Sequence, residues 1–287
     1  MNILLTGGSG FLGSHLADRL LEEGNRVVII DRAHGLSIMD EGVGKYFKGI
    51  DTVFHLAALT RPQWSIEHPE ESNRINVGGT VKVFMHAKEH GVKRTVFVSS
   101  SSLYGENVCP TPESAIPNPM SPYALQKLVG EQYADLFGRI YGMEINSVRP
   151  FNVYGTRQSP KGAYAAAVPN FISHLNEGKT PWITGDGEQA RDFIYVDDVV
   201  EIMCRAAKCK EYGEVFNAGS GINTSINDLY ATISGIMGKD VAPDYIPAVL
   251  EPEKTLADMS KVKEMLDWEP QIDLVEGLRR TVEGTLK

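Results

Sequence analysis

Along the first half of the chain the apolar positions follow two alternating patterns. Short runs rich in β-branched residues, Ile3–Thr6, Arg26–Ile30, Thr52–Leu56, Thr95–Ser99 and Ile145–Arg149, carry few charges and read as strands buried on both faces. Between them, in Phe11–Glu23, Asn76–His90 and Tyr123–Tyr141, apolar residues recur at helical spacing. This alternation predicts an α/β fold, a doubly wound parallel sheet covered by helices and joined by right-handed crossovers. Past about Thr156 the pattern loosens into loops, then returns at Arg191–Lys208 as a strand followed by a helix capped by Asp197. The expected division is a sheet domain over residues 1–155, completed by about 187–212, with a smaller lobe from about 156–186 and 213–287.

The first strand ends in Thr6-Gly7-Gly8-Ser9-Gly10-Phe11-Leu12-Gly13 and leads straight into a helix. Glycines at 7, 10 and 13 allow a tight turn, close approach of backbone to a pyrophosphate, and close helix-to-strand packing. The free N–H groups at the helix start, around Phe11 and Leu12, would hold the phosphates. A second strand ends at Asp31, about twenty residues on, where a carboxylate accepts hydrogen bonds from an adenosine ribose, with Arg32 beside it. These features make the sheet domain a Rossmann-type site for NAD. The charge of Asp31 disfavours the 2′-phosphate of NADP.

Ser121-Pro122-Tyr123-Ala124-Leu125-Gln126-Lys127 puts Tyr123 and Lys127 on one face at the start of a helix. A phenol with a reference pKa of about 10 becomes a useful base near neutrality only if lowered by roughly three units, about 4 kcal/mol of differential stabilisation. A nearby ammonium and a cationic nicotinamide are the expected sources. The strand before it ends in hydroxyls, Ser99-Ser100-Ser101-Ser102, at the sheet edge where open α/β folds bind ligands. There Ser100 is expected to hydrogen-bond the reacting hydroxyl and Tyr123, with Ser99 a candidate for the cofactor and Ser101 for the substrate.

Composition narrows the field. Across 287 residues the hydrophobic share is 42% and the charged share 23%, as in ordinary globular chains, so neither disorder nor a fibrous build is expected. A net charge of −9 argues against nucleic-acid binding. With no apolar run of membrane-spanning length and no basic n-region before the first strand, a cytoplasmic protein is expected. Cys109, Cys204 and Cys209 form no metal-binding pattern and leave one thiol over in any pairing, so no metal site is expected.

Taken in order, the glycine loop, the serine-tipped strand and the Tyr/Lys helix resemble the extended short-chain dehydrogenase/reductases, in particular their nucleotide-sugar epimerase and dehydratase branch. The likeness covers nearly the whole chain. His55-Leu56-Ala57-Ala58 resembles the strand segment that lays Leu56, Ala57 and Ala58 beside the cofactor. Asn76-Val77-Gly78-Gly79-Thr80 is similar to the family's Asn-containing helix, which makes Asn76 a cofactor residue. Arg149-Pro150-Phe151-Asn152-Val153-Tyr154-Gly155 resembles the segment in which Pro150 and Val153 flank the nicotinamide and Asn152 meets the sugar diphosphate. Gly185–Phe193 is similar to the stretch whose Arg, here Arg191, grips that diphosphate, and Ala257-Asp258 and Trp268-Glu269-Pro270 match closing signatures.

Departures from the pattern carry information as well. Ser101-Ser102 stands where dehydratases have an Asp-Glu pair, which disfavours elimination of water. Ser37 stands where an acid usually meets adenine, in a shortened segment. Ala248 replaces a second diphosphate Arg, so affinity is expected to fall unless Lys254 or another cation substitutes. Thr255 matches the residue that gates the sugar pocket, and its small side chain leaves room for an N-acetyl group. The resemblance implies a homodimer through the helices within about Val81–His90 and Tyr123–Tyr141. The function it implies is NAD-dependent 4-epimerisation of a UDP-hexose, with a 4-ketoreductase of a nucleotide-activated deoxysugar as the alternative. A non-enzymatic cofactor sensor is the third reading, and the joint presence of Ser100, Tyr123 and Lys127 weighs against it.

Overall fold

A computed structural model describes residues 1–160, 166–248 and 251–286. The chain runs β1 (Asn2–Thr6), α1 (Phe11–Glu22), β2 (Arg26–Ile30), β3 (Thr52–His55), α2 (Pro62–Glu67), α3 (Pro69–Asn73), a π-helical turn (Arg74–Gly79), α4 (Thr80–Glu89), β4 (Arg94–Val98), α5 (Pro122–Tyr141) and β5 (Glu144–Pro150). There follow β6 (Asn152–Tyr154), α6 (Ala167–Asn176), β7 (Trp182–Thr184), β8 (Ala190–Tyr195), α7 (Val196–Lys208), β9 (Val215–Ala218), β10 (Asn223–Ser225), α8 (Ile226–Met237), β11 (Asp244–Ile246), α9 (Ser260–Leu266) and α10 (Leu274–Leu286).

Six of these strands form one parallel sheet in the order β2-β1-β3-β4-β5-β9. Successive side chains on a strand point to opposite faces, and β1 shows the result. Ile3 and Leu5 join Leu16 and Leu20 of α1 and Ile202 and Met203 of α7 on one face. Leu4 faces the other way, among Phe84 of α4, Phe97 of β4 and Phe137 of α5. Every strand foreseen in the first half is present within a residue or so of its expected ends, which is what a run buried on both faces ensures.

Two expectations change. The segment 187–212 was to complete the large sheet and everything from 213 to belong to the lobe. Instead Val215–Ala218 pairs with β5 as the sixth strand, while β8 sits between β10 and β6 in a separate three-stranded sheet. Of 187–212, the part that does cover the large sheet is α7. Asp197 is also not the cap of α7: β8 runs directly into the helix, Tyr195 takes the cap position without a side-chain bond, and Asp197 and Asp198 lie in the first turn. There their charge suits the positive helix end, and Asp198 accepts from the backbone N–H groups of Gln271 and Ile272 at 3.2 and 3.1 Å. Among the described residues no helix is long and apolar enough to cross a membrane.

Strand order reverses between β1 and β3, because the chain steps out to β2 and returns on the other side of β1. Open α/β sheets bind ligands in the crevice at such a point, beyond the carboxyl ends of the strands. The smaller lobe, whose core gathers Phe171 and Ile172 of α6, Leu229 and Ile233 of α8 and Leu278 of α10, overhangs that crevice.

Candidate active site

The crevice is a cavity of about 900 Å³, at the upper end of the roughly 300–1,000 Å³ seen for small-molecule sites, as two neighbouring ligands require. One end is formed by the loop after β1. Gly7 has φ +73° and a Cβ there would stand 2.8 Å from the Ala57 nitrogen, while a Cβ on Gly13 would lie 2.1 Å from the Gly7 carbonyl. No side chain caps α1 at Gly10, so the first N–H groups of the helix are left for an anion. Gly10, Phe11, Leu12, Leu56, Ala57, Ala58, Ser99, Pro150 and Val153 all line the cavity.

Asp31 and Arg32 line it too, and the Asp31 carboxylate accepts from Ser9 N–H at 3.0 Å and Ala33 N–H at 2.9 Å. The carboxylate thus ties the glycine loop to the end of β2 while keeping lone pairs for a ribose. Ser37 lines the cavity with Leu36 and Ile38, its N–H held by Asp40 at 2.7 Å.

Asn76 lies elsewhere than the resemblance implies. It is buried outside the cavity wall, where its carboxamide accepts from Leu59 N–H at 2.7 Å and donates to the Leu59 carbonyl at 3.0 Å and to Gln126 Oε1 at 2.8 Å. It therefore shapes the loop after β3 from behind. The π-helical turn that contains it brings this about, and Gln126, whose Nε2 reaches Ser72 at 2.8 Å, completes a brace that helical periodicity does not disclose.

His55 adds a second brace. Thr80 Oγ1 donates to the Asn76 carbonyl at 2.6 Å, so it accepts from His55 Nε2 at 2.9 Å, and Nδ1 then accepts from Thr6 Oγ1 at 2.6 Å. Burial pushes this imidazole down to about 3, so it stays neutral.

The reactive group stands mid-cleft. Ser121 caps α5 by accepting from Ala124 N–H at 3.2 Å, and Pro122 fits the first turn. Tyr123 and Lys127 then project together from the first turns, buried at the end of β4. Lys127 Nζ donates to the Val98 carbonyl at 2.6 Å and lies 5.8 Å from the Tyr123 ring centroid, and Ser100 lines the cavity with them.

Burial pushes Tyr123 up to about 12, against the smaller pull of Ser100, and pushes Lys127 down to about 8, against the carboxylate of Glu131. The expected lowering of the phenol is thus not achieved by the protein's own groups, because the cost of burying the phenolate outweighs the pull of Ser100.

At the far end Asn152, Arg191 and Thr255 converge, with Ser100 and Ser101 nearer the centre. Asn152 Nδ2 donates to the Asp192 carbonyl at 3.2 Å and reaches Thr255 Oγ1 at 3.4 Å. Arg191 is buried, and its guanidinium meets the Glu251 carboxylate at 2.9 Å and the Glu253 carbonyl at 3.2 Å. Glu251, which no pattern in the sequence marks, therefore pairs with the cation that the resemblance assigns to a diphosphate. Lys254, the suggested substitute for the missing Arg at Ala248, does not line the cavity. The cations that do, among the described residues, are Arg32, Arg61, Lys127 and Arg191. Trp182 and Thr184 also line this end, unforeseen because short edge strands give little periodic signal.

The family model described as the NAD dependent epimerase/dehydratase family matches residues 3–219. The chain belongs to this family. A putative UDP-glucose 4-epimerase of Methanocaldococcus jannaschii is 37% identical over 98% of this chain and 97% of its own length. Among solved structures, a UDP-glucose 4-epimerase from Thermotoga maritima with UDP-glucose superposes with TM-score 0.95 at 39% identity, covering 99% and 98% of the two chains. A UDP-N-acetylglucosamine 4-epimerase from Methanobrevibacter ruminantium, in complex with UDP-N-acetylmuramic acid, superposes with TM-score 0.94 at 36% identity over 99% and 97%. This member of the NAD-dependent epimerases keeps the room its cofactor needs: the positions where a Cβ would block the pyrophosphate loop are glycine, and the uncapped start of α1 faces the cavity.

Proposed function

We propose that this enzyme interconverts UDP-hexoses at C4, UDP-glucose with UDP-galactose and their N-acetyl counterparts, by transient oxidation. The observation that carries the reading is the convergence of Ser100, Tyr123 and Lys127 in one cavity whose other end presents Asn152, Arg191 and Thr255. The chemistry that NAD supplies when bound is reversible acceptance of a hydride.

Tyr123 removes the proton of the 4-hydroxyl and later returns one to the same oxygen. Ser100 bridges phenol and sugar oxygen, and Lys127, with donors left beyond the Val98 bond, holds the ribose. A phenol at about 12 keeps its proton at neutral pH, so the base form depends on positive charge arriving beside it with oxidised cofactor. Arg191 holds the diphosphate while the 4-keto sugar turns its other face. Asp31 selects NAD over NADP. A cytoplasmic location is part of the proposal, supported by the lack, among the described residues, of a helix long and apolar enough to cross a membrane.

The test is incubation of purified protein and NAD with UDP-galactose, with chromatographic separation of the products. UDP-glucose should form without net consumption of NAD. Inertness toward both sugar pairs, with turnover of a 4-keto sugar only when NADH is added, would replace epimerisation by ketoreduction.

A homodimer is part of the proposal. Leu125, Leu136 and Ile140 leave 50%, 36% and 60% of their surface exposed along the outer side of α5, more apolar area than a lone helix face usually shows to water. Pairing of α4 and α5 with those of a second copy would cover it. Light scattering should report twice the chain mass, and a monomer at micromolar concentration would refute it.

A further inference from the structure

Beyond the residues already assigned to the cofactor, the loop after β6 carries a side chain whose polar atoms are only half used. Gln158 lines the cavity, as Val153 and Phe11 do. Its Nε2 donates to the Val153 carbonyl at 3.1 Å, which fixes the carboxamide and leaves Oε1 buried with no partner among the described residues. A buried acceptor without a donor is costly, and native proteins keep such groups where a ligand completes them.

The backbone around it is held in place. Arg157 adopts φ 66°, with its guanidinium on Asp18 at 2.9 Å and on His15 Nδ1 at 3.1 Å, while His15 Nε2 donates to the Thr156 carbonyl at 2.9 Å. His15 and Asp18 belong to α1, the helix whose start faces the pyrophosphate. Gln158 is thus anchored between the phosphate end of the cofactor site and the Pro150–Val153 wall where the nicotinamide is expected.

We infer that Gln158 positions the nicotinamide, its Oε1 accepting a hydrogen bond from the carboxamide N–H of the cofactor. With Lys127 on the ribose and Tyr123 and Ser100 on the sugar oxygen, the carboxamide is the cofactor's remaining donor at the reactive end. The inference rests on NAD as cofactor and not on the identity of the sugar.

The experiment is calorimetric titration of nucleotide-stripped enzyme, without sugar, using NAD and its 3-acetylpyridine analogue, in which a methyl group replaces the carboxamide nitrogen. Wild type should bind NAD about tenfold more tightly than the analogue, the loss expected when a buried acceptor goes unpaired. Gln158→Met should weaken NAD by about the same factor and leave the analogue nearly unchanged, so that the preference disappears. A wild type that treats the two alike, or a Gln158→Met variant that loses both equally, would overturn the assignment. The first comparison needs no variant, so a Met substitution that fails to fold does not rescue the idea.

Discussion

The two ends of the cavity are finished to different degrees. At the cofactor end the groups that brace the cavity wall are paired within the protein: Thr6, His55, Thr80 and Asn76 form one connected set, and Asp31 is bound to two backbone N–H groups, while Gln158 Oε1 and the first N–H groups of α1 are left for the ligand. The glycines there leave no space for adjustment. At the sugar end Arg191 is paired with Glu251, a side chain 37% exposed, and Asn152 touches Thr255 at a long 3.4 Å. A site that needs no reorganisation on binding loses less affinity to ordering. The contrast suits a cofactor that stays through many turnovers and a sugar nucleotide that exchanges in each.

The most severe way to break the comparison is at its centre. Tyr123→Phe should lower kcat by about 10²–10⁴-fold, the usual contribution of a positioned acid–base group, and leave calorimetric NAD affinity within about twofold. A variant that kept more than about a tenth of the rate would place the base elsewhere.

Lys127 sharpens the cofactor end through pH. Its folded pKa, about 8, lies below the reference 10.5, so between those values the unfolded chain binds more protons and stability rises with pH. Below about pH 8 the full cost of burying the ammonium is present. Denaturant midpoints should therefore increase from pH 8 to 10 in wild type, by at most roughly 3 kcal/mol, and the increase should vanish in Lys127→Met. Tyr123, raised to about 12, opposes this only above pH 10. Burial raises the Cys204 thiol from 9 to about 12, which lowers stability from pH 9 upward. The deciding quantity is therefore the difference between the two proteins: parallel pH profiles for wild type and Lys127→Met would show that Lys127 is not held in the state described.

Much of the site is legible in sequence where the chemistry is local. The glycine loop, Asp31 and the Ser121–Lys127 helix start are set by turn geometry, a strand end and a cap, all within a few residues of one another. What escaped depends on long-range contacts: Glu251 reaches Arg191 from sixty positions away, Asn76 turns inward because a π-helical turn rotates it, and β9 is too short and too deep in a loop-rich stretch to announce itself. The phenol's upward shift likewise follows from burial, which only the assembled fold defines.

At the sugar end, Thr255→Tyr should impair the N-acetyl pair selectively, by about 5- to 100-fold in kcat/KM, since overfilling a packed site commonly costs about 1–3 kcal/mol. Equal losses on both sugar pairs would mean that residue 255 does not face the 2-substituent. The smallest effect is expected from Glu251→Gln. Releasing Arg191 from a partly exposed ion pair, a contact usually worth no more than about 1 kcal/mol, should lower the KM for UDP-hexose about threefold and leave NAD affinity unchanged. An increase in KM would mean that Glu251 helps to place the guanidinium instead of competing for it.

Asp192 gives the chain an order of assembly. Its carboxylate, fully enclosed, accepts from the backbone and hydroxyl of Ser220 at 2.6 and 2.7 Å, from Gly221 N–H at 3.0 Å and from Ala257 N–H at 3.0 Å. During synthesis the glycine loop, Asp31, Tyr123, Lys127 and Val153 have all been added before Arg191. The knot that fixes β8, and with it Arg191, cannot close until Ala257 emerges. A nascent chain therefore carries every cofactor-facing residue named here well before it carries a finished sugar pocket, and a chain cut short before Ala257 would retain the former while leaving a buried acid short of a donor.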